Sequence, residues 1–193
     1  MFTVTNIKIS VKIPQLVELD FVEERCKKLS QDRIIFCSRK RANILTVRYN
    51  NFTYILFKGS SKPYPDGSIA PQHCNITKLK SQEDIVKAIP LLFFLVDQPP
   101  AFMNYTIDNY SCCADIFDSV DIESFFIKEN NISCNYSEEN FPALSIYSPL
   151  GKDNLCCYLY RSGKFVFVGG KNLSDTKEFF LWIVEKIQPY LKK

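Results

Sequence analysis

The stretch Tyr160-Arg161-Ser162-Gly163-Lys164-Phe165-Val166-Phe167-Val168-Gly169-Gly170-Lys171 decides how the rest of the chain is read. Apolar runs on either side of Arg161-Ser162-Gly163-Lys164 make a strand, a tight turn and a second strand, and Gly163 supplies the positive φ that such a turn demands. With Leu155 to Tyr160 and Lys164 to Val168 as the two strands, period-two alternation puts Tyr158, Tyr160, Lys164, Val166 and Val168 on one face. Cys157, Leu159, Phe165 and Phe167 fall on the other. Both faces are largely apolar. If helices cover one of them, the other is left as an apolar surface for a partner.

Working outward from this hairpin, the chain repeats itself. A second strand pair, Ile44 to Tyr49 and Thr53 to Phe57, ends in Lys58-Gly59 as the first ends in Gly169-Gly170. Each half opens with a strand-like segment holding an asparagine, Asn6 and Asn109, and each then has a stretch of helical character, Gln15 to Leu29 and Ile122 to Asn130. Each half closes with an amphipathic helix. Ser81 and Asp84, then Asp175 and Glu178, stand three apart ahead of apolar runs, as an N-cap and its reciprocal partner do. Phe179, Ile183 and Ile187 recur at helical spacing beside Phe180 and Trp182 and mark a buried face. Pro90 and Pro189 are expected to bend or stop these helices. Strand, helix, antiparallel strands and a closing helix, written twice, predict an α+β protein with repeats at residues 1–98 and 99–193. The segment Ser61 to about Leu79, with Pro63, Pro65, Gly67 and Pro71, reads as an inserted surface loop in the first repeat.

Composition narrows the function classes. A chain of 193 residues with 46% hydrophobic content builds a core without disulfides or metal. The net charge of +3 is small, but the halves differ: 15 basic and 9 acidic residues through Gln98, 9 and 12 after it. The longest apolar run, Leu91 to Val96, is far too short to cross a bilayer, and the first residues have neither a basic n-region nor an apolar h-region. An intracellular protein with no membrane partner is therefore expected. The eight cysteines include the adjacent pairs Cys112-Cys113 and Cys156-Cys157, whose side chains point to opposite faces of a strand. Without a CxxC pair, and with His73 as the single histidine, there is no zinc signature. No phosphate-binding glycine loop or nucleophile–base set is present either, so no catalytic residue, cofactor or metal is expected. One pattern points elsewhere: Asn-x-Ser/Thr begins at Asn51, Asn75, Asn104, Asn109, Asn131, Asn135 and Asn172, more often than chance gives, and keeps a secreted glycoprotein open as an alternative.

Glu139-Asn140-Phe141-Pro142-Ala143-Leu144, together with the hairpin stretch, resembles the second repeat of the TATA-box-binding protein (TBP) family. That family reads phenylalanine-proline-glycine-leucine, then phenylalanine-x-serine-glycine-lysine, an apolar strand and glycine-alanine-lysine. Ile187-Gln188-Pro189-Tyr190-Leu191 is similar to the end of its final helix. The resemblance is strong in the second half and weak in the first, and it marks the chain as a divergent TBP-like factor. It implies a saddle: two pseudo-symmetric repeats forming a curved antiparallel sheet, with helices on the convex face. It further implies a general transcription initiation factor of the nucleus, or of whichever compartment transcribes. Its concave sheet would grip double-stranded, A·T-rich promoter DNA in the minor groove and bend it by wedging aromatic rings between base steps. The implied partners are a factor IIB-like protein at the second repeat and the RNA polymerase machinery.

Carried over position by position, the second-repeat wedge pair falls on Phe141 and Tyr160, and the first-repeat pair on Tyr49 and Ile34. The two minor-groove asparagines match Asn6 and Asn109, whose amides read acceptors in an A·T-rich groove. The valines that accompany them in the family are replaced by Lys8 and Ser111, and the threonines that precede glycine fall on Lys58 and Val168. Arg33, Arg39, Lys40, Arg41, Lys58 and Lys164 are the expected phosphate contacts; Leu56, Pro142, Tyr158 and Val166 complete the expected DNA-facing set. Strict TATA selectivity is not implied by a site so altered. A saddle that serves as a protein-interaction subunit of a transcription complex, without binding DNA on its own, is the alternative favoured by the acidic second half.

Overall fold

The computed structural model describes residues 2–31, 34–60, 62, 65–100, 105–150 and 154–192, and of Lys40 only the backbone. Arg33, Asn104, Ser61, Pro63 and the side chain of Lys40 thus lie outside the described residues. The chain divides into two compact units, one of Ile7–Ile107 and one of Met1–Asn6 with Asp108–Lys193.

The first unit takes β1 (Phe2–Ile13) from Ile7 onward, then α1 (Leu19–Leu29), β2 (Ile35–Arg41), β3 (Ile44–Tyr49), β4 (Phe52–Phe57), β5 (Gln72–Leu79) and α2 (Gln82–Val96). Its strands lie in the order β2-β3-β4-β5-β1, each antiparallel to its neighbour. Strict alternation builds β1: Ile7, Ile9, Val11 and Ile13 are buried, while Lys8, Ser10 and Lys12 alternate to the opposite face. Helix α1 begins at Leu19 rather than near Gln15. The buried Gln72 side chain accepts from the Val17 N–H at 2.8 Å and donates to the carbonyls of Val17 at 3.1 Å and Phe57 at 2.9 Å, which keeps the chain before α1 extended.

Helix α2 has the expected cap, with Asp84 N–H donating to Ser81 Oγ at 3.2 Å and Lys80 N–H to Asp84 Oδ2 at 2.8 Å. Pro90 does not end it. Pro90 is exposed, and the carbonyl it deprives of a partner, four residues back, belongs to the half-exposed Val86 and faces water, so the helix runs on to Val96.

The second unit repeats the plan with β6 (Tyr105–Asp115) from Asp108 onward, α3 (Ile122–Lys128), β7 (Cys134–Ser137), β8 (Phe141–Tyr147), β9 (Cys156–Tyr160), β10 (Lys164–Gly170) and α4 (Leu173–Ile187). The strand order is β7-β8-β9-β10-β6. Cys157, Leu159, Phe165 and Phe167 of the hairpin pack with Leu144 and Ile146 of β8 against Phe125 of α3 and Phe179, Ile183 and Ile187 of α4. The cap of α4 is Asn172, whose Oδ1 accepts from the Ser174 N–H at 2.8 Å, three residues ahead of the expected Asp175; Pro189 follows the helix end in a 3-10 turn.

The two units match strand for strand, and this corrects the sequence reading of the first repeat. Residues 72–79, expected within a loop, form β5, which pairs Thr53↔Thr77 through Leu56↔Cys74 with β4 and lies next to β1. The hairpin β9–β10 therefore corresponds to β4–β5, and residues 58–71 stand where Arg161-Ser162-Gly163 make a tight turn. Both last strands slip register identically: between Ile76↔Ile9 and Leu79↔Ile7 three residues oppose two, as they do between Phe167↔Cys112 and Gly170↔Tyr110. The slip turns on Gly169 at φ 84° and on Lys78 at φ 68°. Glycine carries that backbone without steric cost; lysine does not.

Candidate nucleic-acid interface

In each unit the helices cover one sheet face and leave the other open. The open face of the second unit is aromatic. Phe141, 40% exposed at the start of β8, sets its ring edge-on to Tyr158 with centroids 5.2 Å apart and to Tyr160 at 6.3 Å. Ala143 pairs with Tyr160 and Ser145 with Tyr158, so these residues share one surface with Val166 and Val168 of β10. Partial burial raises the Tyr158 phenol pKa above its ordinary value. Pro142 alternates to the opposite side of β8 and is exposed.

The hairpin tip beside this cluster is braced. Arg161 bonds Glu123 of α3, Glu138 at 2.9 Å and the Tyr136 hydroxyl at 3.1 Å, and its pKa is raised by the Tyr136 hydrogen bond and the carboxylates. Gly163, at φ 77°, lies against the chain at Asp118, where an added Cβ would meet the Asp118 carbonyl oxygen at 2.1 Å.

Asn109 is held in a set orientation. Its Oδ1 accepts the Gly169 N–H at 2.7 Å and its Nδ2 donates to Ser111 Oγ at 3.2 Å. A backbone N–H is only a donor, so the bond from Gly169 fixes which end of the amide is oxygen, and Nδ2 keeps a second hydrogen for an outside acceptor. Ser111 is fixed in turn, its carbonyl accepting from Thr5 Oγ1 at 2.9 Å. Asn6 is half-buried on β1.

In the first unit the strand equivalence assigns different residues from those the sequence suggested. Ile44 pairs with Phe57 as Ala143 pairs with Tyr160, so half-buried Phe57 takes the Tyr160 position and Ala42 that of Phe141. Thr77, ahead of Lys78, takes the position of Val168, and on the same face Ser10 Oγ donates to Asn75 Oδ1 at 2.8 Å. Further out, Arg48 pairs with Phe36, 66% exposed, and Ile34 is 79% exposed; with Asn50, Asn51 and Lys78 they line a shallow cleft.

Three expected contacts lie on the wrong side. Tyr49 is 6% exposed and Leu56 fully buried, both alternating toward the helices, and Arg39 pairs with Asp20 at 2.5 Å and Glu23 at 3.6 Å of α1. Of the other cations, Lys8 is half-buried on β1, Arg41 is exposed at the end of β2, Lys58 is exposed where β4 ends, and Lys164 is exposed opposite Asp115 of β6. Sequence reasoning missed Phe57, Thr77 and Arg48. The signal was present: Thr77-Lys78-Leu79-Lys80-Ser81 stands before α2 as Val168-Gly169-Gly170-Lys171-Asn172 stands before α4.

Of the Asn-x-Ser/Thr asparagines, Asn75, Asn109 and Asn172 already use their amides inside the fold. All eight cysteines are free thiols, and no helix among the described residues is long and apolar enough to cross a membrane.

Residues 104–190 match the family model for transcription factor TFIID (or TATA-binding protein, TBP). Among solved structures, Methanococcus jannaschii TBP is similar across 97% of this chain and 98% of its own, with a TM-score of 0.70 and 18% sequence identity. No curated protein sequence matches the chain.

Proposed function

We propose that the chain is a member of the TATA-binding protein family, whose model its residues 104–190 match, and that it is a non-enzymatic transcription initiation factor that binds A·T-rich promoter DNA from the minor groove through its open sheet faces. One observation carries this reading: the Phe141, Tyr158 and Tyr160 rings stand together, outside the core, on a face their own helices do not cover. Rings of this kind unstack a base step at a cost of a few kcal/mol, offset by apolar burial and by phosphate contacts along the bent strand. Phe141 and Tyr160 are the wedge on the open face of the second unit, and Phe57 is its smaller counterpart on that of the first. Asn109 and Asn6 read acceptors in the groove. Lys8, Arg41, Arg48, Lys58 and Lys164 neutralise phosphates. A factor IIB-like protein at the second repeat, the polymerase machinery and a nuclear site of action belong to the same proposal.

The test is a fluorescence titration of a labelled A·T-rich duplex at low salt. Binding that weakens for a G·C-rich duplex supports the proposal. No binding to either, with retained binding to transcription proteins, selects a second reading, an interaction subunit without autonomous DNA binding. That reading is favoured by one observation, the replacement of a wedge ring by Ala42 in the first unit.

A further inference from the structure

Cysteine is scattered through this fold, and most of it is packed away. Cys74, Cys112, Cys156 and Cys157 are buried, and burial raises the pKa of each thiol, which keeps it protonated and inert. Cys26 and Cys37 are different because two elements bring them side by side. Cys26 is on the buried face of α1 with Leu19 and Val22. Cys37 is on the face of β2 that α1 covers, between buried Ile35 and Arg39. The ion pairs fix the register: Arg39 reaches Asp20 and Glu23 in the first half of α1, so Cys37, two residues back along β2, comes level with Cys26, one turn on from Glu23. The two thiols are within hydrogen-bond reach of each other.

From this juxtaposition we infer that Cys26 and Cys37 are a redox-active pair that closes into a disulfide when the protein meets a small disulfide such as oxidised glutathione. Cys37 is the attacking thiol, being half-exposed where Cys26 is 1% exposed. The hydrogen bond from Cys26 lowers the Cys37 pKa, helped by Lys27 and Arg39 and opposed by burial and Glu23, while the same bond and burial raise that of Cys26. The Cys37 thiolate attacks one sulfur of oxidised glutathione, forming a mixed disulfide and expelling one glutathione thiolate. Cys26 Sγ then attacks Cys37 Sγ, giving up its proton as the second glutathione thiolate leaves and takes one up. Two protein thiols are oxidised by two electrons and one glutathione disulfide is reduced to two thiols. The bond ties α1 to β2, the edge strand that carries Phe36 on its other face, and does not depend on what that face binds.

The experiment incubates the full-length protein with oxidised glutathione, then counts free thiols and maps peptides by mass spectrometry without reduction. Expected are the loss of two thiols of eight, a Cys26–Cys37 linked peptide pair, and, in Cys26→Ala, a stable glutathione adduct at Cys37 in place of the link. Dithiothreitol restores both thiols. Absence of the linked pair from the oxidised wild type overturns the inference, as does prior modification of Cys113 or Cys134 with Cys37 untouched. The wild-type map needs no variant, so a poorly folded Cys26→Ala does not rescue it.

Discussion

Phe141 is worth more to binding than to folding. It is 40% exposed and stands at a strand start, so Phe141→Ala should change stability by no more than about 0.5 kcal/mol, the usual range for surface positions. Stacking of a base on an aromatic ring is worth about 1–3 kcal/mol, which predicts a loss of roughly 5- to 150-fold in duplex affinity, read by fluorescence titration. The neighbours Arg48 and Tyr49 divide the two roles again. Tyr49 is core, and Tyr49→Ala should lower unfolding free energy by about 3 kcal/mol, seen as a lower urea midpoint. Arg48→Ala should leave the midpoint in place and weaken duplex binding. If Tyr49→Ala instead weakened binding at unchanged stability, the assignment of strand faces would be wrong. That the sequence comparison chose Tyr49 has a physical reason. The strand pair β3–β4 imitates the β9–β10 hairpin one strand too early, so the tyrosine that ends β3 stands in for Phe57, which ends β4.

At the scale of elements, legibility followed how local the determinants are. The β9–β10 hairpin was readable because Gly163 and its flanking alternation lie within a dozen residues, and the first residue of α2 because Ser81 and Asp84 cap it reciprocally. Strand β5 was not, because fourteen residues of connection, 58–71, separate it from β4, and because Gly59 imitates the glycine that closes β10. The start of α1 is set by Gln72, more than fifty residues away in sequence, which no local pattern announces. The cap of α4 is Asn172 where the spacing points to Asp175, and the difference is measurable. Asn172→Ala should cost about 1 kcal/mol of stability and Asp175→Ala clearly less, by thermal or urea unfolding. The left-handed backbone at Lys78 predicts the opposite sign: Lys78→Gly should stabilise by about 1 kcal/mol. A destabilised Lys78→Gly would mean that the lysine side chain returns more than its backbone costs.

For the whole molecule, the charge distribution bears on function more than the net charge does. Through Gln98 the basic residues outnumber the acidic by 15 to 9, and after it the acidic outnumber the basic by 12 to 9. If Lys8, Arg41, Arg48, Lys58 and Lys164 meet phosphates, the logarithm of affinity should fall linearly with the logarithm of salt, with a slope of about −4 to −5. Each Lys→Ala or Arg→Ala change among them should flatten it by about one. A slope near zero would leave the phosphate contacts without support. The α+β architecture, the duplication and the second-repeat face were all legible in the chain; the first-repeat face was not, because its residues departed from pattern while its backbone kept it.

The paired register slips give that last point wider reach. One half of the molecule makes its kink from glycine and the other from lysine, yet the geometry is the same three against two. One strand plan thus keeps its kink under two different spellings. The family model matches residues 104–190, whereas the likeness of fold spans 97% of the chain.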